Sequence, residues 1–150
     1  YINIDYIPKP NTRIKADVMF TYSPVGALFG TANTSSNLTF GSMSEWGKIY
    51  YTFGTLDGVE NKIEIPDISV TLNTRYKIEY NQNSVCFGDK TAFCQNSTFT
   101  CNYPLYLFAT NAGPNTIRNP LTGGRIYPFE IYEDNILVHN YILYLSYIFY

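Results

Sequence analysis

Two stretches of the chain alternate between apolar and polar residues, and this alternation limits what it can fold into more than any other feature. In RIKADVMF, Ile14, Ala16, Val18 and Phe20 alternate with Arg13, Lys15, Asp17 and Met19. In TRYKIEY, Tyr76, Ile78 and Tyr80 alternate with Arg75, Lys77 and Glu79. A period of two puts one set of side chains on each face of a β-strand, so each stretch is expected to bury one face and wet the other. The polar cluster Asn81, Gln82, Asn83 and Ser84 then predicts a hairpin turn into SVCFGD.

Further strands are expected at ALFGT, LTFGSM, KIYYTFG, NKIEI, STFT and PLYLFAT. GRIYPFEIYEDNILVHNYI reads as a closing hairpin that bends at Glu133, Asp134 and Asn135. Residues 103–110 read as one strand crossing the core, with Leu105, Leu107 and Ala109 on one side and Tyr106 and Phe108 on the other. Residues 111–121 then form a long loop. No eleven-residue window has a helical period, and fifteen Tyr and ten Phe favour pleated surfaces. Many short strands separated by Pro, Gly, Asn and Asp imply an all-β fold, an antiparallel two-sheet jelly-roll sandwich. With 150 residues and no internal repeat or linker, residues 1–150 are expected to form one domain.

Composition narrows the partners. A net charge of -2 without any basic run argues against nucleic acid. The longest apolar stretch, NYILYLSYIFY from Asn140, is about half of the roughly 20 residues that a membrane helix needs, so membrane insertion is not expected. That stretch reads as a buried strand or an interface segment. The chain opens on Tyr1 and carries no secretory-type leader, which reads as a module of something longer with neighbouring domains. Cys86, Cys94 and Cys101 contain no CxxC pair, so zinc has no support. They are read either as three reduced thiols or as one bridge, Cys94 to Cys101, clamping QNSTFT.

Five blocks in order, YINIDYIPKPNTRIKADVMF, ALFGTANTSSNLTFGSM, TRYKIEYNQNSVCFGDKTAF, YPLYLFATNAG and GGRIYPFEIYEDNILVHNYI, resemble the laminin-G-like branch of the concanavalin A-like lectin/glucanase superfamily. The version they look most like is found in surface proteins of gut bacteria and their phages. The carriers are Leu28, Phe29 and Gly30, then Phe87, Gly88 and Asp89, then Gly124, Arg125, Ile126, Tyr127, Phe129, Ile131, Tyr132, Leu137 and Val138. The likeness covers residues 1 to about 141, and the tail 141–150 does not match. Pro128 also departs from the family pattern; it removes a ladder donor and predicts an edge or a bulge. The resemblance implies an extracellular module at a bacterial cell or virion surface.

Glycosidases on that fold align two or three carboxylates on one strand face, and no such spacing occurs here. Glu60 and Glu64 in ENKIEIPD read as a solvated strand edge. His139 is the sole histidine, which leaves no two-histidine metal centre and no Ser-His-acid set. A non-catalytic module binding carbohydrate or a surface protein is expected, with a structural decoration or spacer domain as the alternative and a glycoside hydrolase as a minor one. Trp46 is read either as an exposed stacking platform or as a residue packed at the sheet edge. Tyr50 and Tyr51 point to opposite faces, so one of them is core. Asp57, Asn111 and Asn115, with Asn33 and Asn37, lie in connections that a sandwich gathers at its ends, where turn chemistry alone would also place them. No cofactor is expected. The resemblance allows calcium, but Asp57, Glu60, Asp67 and Asp89 follow no calcium-loop pattern. NTS at Asn33, NLT at Asn37 and NST at Asn96 match the glycosylation acceptor triplet, which arises readily by chance in an Asn- and Thr-rich chain.

Overall fold

Period-two sequences have become strands throughout. The computed structural model describes residues 1–33, 38–93, 95 and 97–142. Its strands are β1 (Ile2–Asn3), β2 (Thr12–Phe20), β3 (Gly26–Thr31), β4 (Phe40–Glu45), β5 (Lys48–Leu56), β6 (Val59–Ile65) and β7 (Arg75–Tyr80). There follow β8 (Ser84–Phe87), β9 (Lys90–Phe93), β10 (Tyr106–Leu107), β11 (Thr110–Asn111), β12 (Ile117–Arg118), β13 (Gly124–Glu133) and β14 (Ile136–Ile142). No helix occurs among the described residues.

The strands make a two-sheet antiparallel sandwich. The first sheet runs β1-β10-β3-β4-β5-β6, with β11 and β12 as a side branch, and the second runs β14-β13-β2-β7-β8-β9. As the alternation requires, Ile14, Ala16, Val18, Ile78 and Tyr80 turn inward, joined by Phe129 and Ile131, against Phe29, Phe40, Ile49, Tyr51 and Phe53 of the first sheet. Of the two adjacent tyrosines, Tyr51 is the core residue. Phe29 locks the sheets together, its ring edge-on to Tyr80 at 5.0 Å and to Phe129 at 5.8 Å. The Tyr80 hydroxyl is spent inside the core on Ser42 Oγ at 2.7 Å, which removes the cost of burying it unpaired. Pro128 sits where the β13–β2 register shifts, a bulge that spares the ladder its missing N–H.

Two expected strands are corrected. Residues 97–100 of STFT join no ladder. Instead, Ser97 Oγ donates to the Phe53 carbonyl, Asn61 Nδ2 donates to the Gln95 carbonyl at 2.8 Å, and Phe99 stands edge-on to Phe53 at 4.9 Å. Residues 103–110 are not one crossing strand either. Phe108 adopts φ 61°, and the chain reverses there: β10 runs antiparallel to β3, and β11 returns parallel to it with Asn111 opposite Thr31. The backbone groups of Phe108 are met by the Leu28 carbonyl and the Leu121 N–H, both at 2.9 Å, which holds the unusual dihedral in place. Leu105, Leu107 and Ala109 are fully buried, whereas Tyr106 and Phe108 are half-buried.

Of the two readings of the cysteines, three reduced thiols or one Cys94–Cys101 bridge, only part falls on the described residues. Cys101 is a free, buried thiol, and Cys94 lies outside the described residues, as do Asn37, Asn96 and residues 143–150 of the tail.

Candidate polar cleft on the second sheet

The inward half of each alternating strand builds the core, so the outward half builds a surface. On β2 that half is Arg13, Lys15 and Asp17, on β7 it is Arg75, Lys77 and Glu79, and on β13 it includes Glu130 and Tyr132. Register aligns Glu130, Lys15, Glu79 and Cys86 in one row across four strands, and sets Asp17 beside Lys77 in the next row. These six side chains line a cleft of about 420 Å³, with Pro128 of the bulge and Gly88 also on its wall.

The cleft is held by ion pairs. Arg13 forks onto Glu79, donating through Nε at 2.9 Å and through Nη2, while Lys15 Nζ stands 4.0 Å from the other Glu79 oxygen. Arg75 donates to Asp17 at 2.7 Å, and its guanidinium also lies 3.9 Å from the centre of the Tyr127 ring. Glu130 accepts the Tyr132 hydroxyl at 2.7 Å, and this hydrogen bond raises that phenol above its ordinary range. Lys15 Nζ is 5.5 Å from the Tyr132 ring centre. The Lys77 side chain has no hydrogen-bond or ion-pair partner among the described residues, and it is an exposed ammonium at the cleft. The surface therefore offers fixed acceptors at Asp17, Glu79 and Glu130 beside donors at Lys15 and Lys77.

A second depression, of about 330 Å³, lies further along the same strands and is almost wholly polar. There Asn11 donates to Asp134 at 2.8 Å and Arg13 donates to Asn135 at 3.1 Å, with Asn81, Gln82 and Asn83 opposite. Arg13 borders this pocket and braces Glu79 in the first.

The residues singled out from the sequence are not brought together. Trp46 is 67 % exposed at the β4–β5 turn, at the end where β2 finishes and β13 begins. Tyr50 faces outward on the first sheet, with Lys62 Nζ 3.7 Å and Lys48 Nζ 5.0 Å from its ring centre. Asp57 and Gly58, at φ 52° and 79°, make the β5–β6 turn at the opposite end from Trp46. Asn111 is buried: its Nδ2 donates to the Pro104 carbonyl at 2.9 Å and its Oδ1 accepts the Gly113 N–H at 3.2 Å. Asn115 is an exposed turn residue at φ 57°. Asn33 is spent as a staple, donating to the Thr100 carbonyl and accepting the Asn102 N–H. His139 is part of an aromatic group, stacked on Tyr141 and edge-on to Tyr6 at 5.4 Å.

The carboxylates weighed for calcium do not converge. Glu60 accepts the Leu38 N–H at 2.7 Å, and Asp57 stands at its turn. Asp67 and Asp89 share a depression, where the Lys90 ammonium already donates to the Asp67 carbonyl at 2.6 Å. Among the described residues, no three His, Cys, Asp or Glu side chains have the geometry of a metal site. These residues do not fit calcium.

That Glu130, Glu79 and Lys77 line one cleft was not read from the sequence. Their alternation was readable, but their adjacency depends on pairing β13, β2 and β7, which are far apart in the chain. No protein-family model matches the chain, and no curated protein matches it.

Proposed function

We propose that this chain is a non-catalytic recognition module, a laminin-G-like jelly roll displayed on a bacterial cell or virion surface, and that it binds a glycan in the cleft of the second sheet. The supporting observation is the cleft itself. Its volume falls within the roughly 300–1,000 Å³ of small-molecule sites. Three carboxylates and two ammonium groups sit there on rigid strands, where sugar hydroxyls can both donate and accept through charge-assisted hydrogen bonds. No cofactor enters the reading.

A glycan array, followed by titration of the best ligand, tests this. Lys77→Ala and Glu130→Gln are each expected to weaken binding at least tenfold, while Trp46→Ala leaves it unchanged. Loss through Trp46→Ala alone would move the site to the β4–β5 turn, and no binding to any glycan would count against the proposal. Turnover of a bound glycan that Glu130→Gln abolishes would revive the hydrolase reading. A structural role in a fibre, capsid or adhesin is the second reading, favoured by the uncharged outer edge of β14.

A further inference from the structure

Arg13, Lys15 and Asp17 are successive outward residues of β2, so the two depressions of the second sheet follow one another on a single face. Lys15 and Asp17 line the first and Arg13 lines the second, a step of about 7 Å along the strand from Lys15 to Arg13. Arg13 stands at the boundary. Its Nε and Nη2 donate to Glu79 in the first depression, and its Nη1 donates to Asn135 in the second. Its guanidinium carbon lies 6.0 Å from the ring centre of Tyr132, its register partner on β13. One residue therefore braces the walls of both depressions.

The second depression has a different chemistry. It is built by the β13–β14 turn, with Asp134 and Asn135 at φ 48° and 64°, by the β7–β8 turn, and by residues 11–12 leading into β2. Its charged side chains are already engaged: Arg13 as above, and Asp134 accepting Asn11 Nδ2 at 2.8 Å. Asn81 Oδ1 orders its own turn, accepting the Asn83 N–H, the Ser84 N–H and the Ser84 hydroxyl at 3.2, 3.1 and 3.0 Å. What is left uncommitted among the described residues is amide: Nδ2 of Asn81 and of Asn135, Oδ1 of Asn11, and the whole side-chain amide of Asn83. Such groups donate and accept as sugar hydroxyls do, and they carry no charge that a ligand must neutralise. We propose that the glycan is a linear chain of neutral sugars that runs from the first depression past the Arg13–Glu79 pair into the second, where Asn83 and Asn135 hold a further sugar. This rests on the reading of the first depression as a glycan site. A terminal sugar would fill one depression alone. A chain reaches both, and because its second contact is made intramolecularly, affinity rises with chain length.

Affinity gel electrophoresis against a xylan, a mannan, a β-glucan and a galactan selects the polymer, and calorimetry with its two-, four- and six-sugar fragments reads the length dependence. The six-sugar fragment is expected to bind about tenfold more tightly than the two-sugar one. Asn83→Ala, and Asn83→Trp, which fills the depression, are each expected to bring that ratio close to one. Asn83 is exposed, so far-UV circular dichroism is expected to match in all three proteins. Fragments of equal affinity overturn the proposal and leave the first depression as the whole site. A length dependence that neither Asn83 variant reduces also overturns it. So does the absence of retention by every neutral polymer; the reading of the first depression then stands or falls separately, on whether Lys77→Ala weakens binding of an array-selected glycan.

Discussion

The two described cysteines show how the same residue type is set apart by its place on one face or the other. Cys86 lies on the outward half of β8 at the cleft, half-buried, with its sulfur 3.2 Å from Thr91 Oγ1. Cys101 lies in the core, where burial pushes its thiol up to about 12. A thiol whose folded pKa exceeds its unfolded value of about 8.5 contributes stability below that pH and loses it as the pH rises toward the folded value. At pH 8 the folded protein should therefore be alkylated by iodoacetamide at Cys86 and spared at Cys101, as read by peptide-mapped mass spectrometry. A glycan held in the cleft should slow the reaction at Cys86. Equal labelling of both cysteines in folded protein would contradict the burial of Cys101, and unprotected Cys86 would separate it from the ligand site.

At the scale of elements, alternation was legible wherever a strand has one wet face, and it located β2, β7 and the β13–β14 hairpin from their residues alone. Pro128 announced its bulge for a similar reason, since a missing N–H must be accommodated locally. Two runs misled. STFT and PLYLFAT have strand composition, but composition does not say whether a ladder partner is free. Phe99 fills space over the first sheet instead, and Phe108 turns the chain at a positive φ that an aromatic residue does not advertise.

Gly54 is the counterpart of that packing. It sits at φ 66° where the β5–β6 register shifts, and a Cβ there would stand 2.8 Å from Ser97 Oγ and 3.0 Å from Phe99 Cβ. Gly47, at φ 82°, has open space around it. Gly47→Ala should cost about 1–2 kcal/mol from its backbone conformation alone. Gly54→Ala should cost about 2–4 kcal/mol, because displacing residues 97–99 adds an overpacking penalty. Urea denaturation of the two variants checks the difference, and equal costs would mean that residues 97–99 do not press on β5.

Over the whole molecule, the class of fold was readable and the cleft of the second sheet was not. Each alternating strand declared a charged face, but the cleft exists only because residues 15–17, 77–79 and 130 meet through pairings that span most of the chain. The residues that did attract notice, Trp46, Tyr50, Asp57, Asn111 and Asn115, were chosen by type. The fold scatters them over both ends, an outer face and a buried turn. Opposite charges are interleaved on three neighbouring strands, where ion pairs hold Asp17 and Glu79 and the Tyr132 hydroxyl holds Glu130. The most direct test is amide chemical-shift mapping of the labelled protein, titrated with the glycan that an array selects. The account predicts shifts concentrated at residues 15–17, 77–79, 86–88 and 130–132. Shifts confined to the Trp46 turn or to the end bearing Asp57 and Asn115, with the cleft silent, would contradict it.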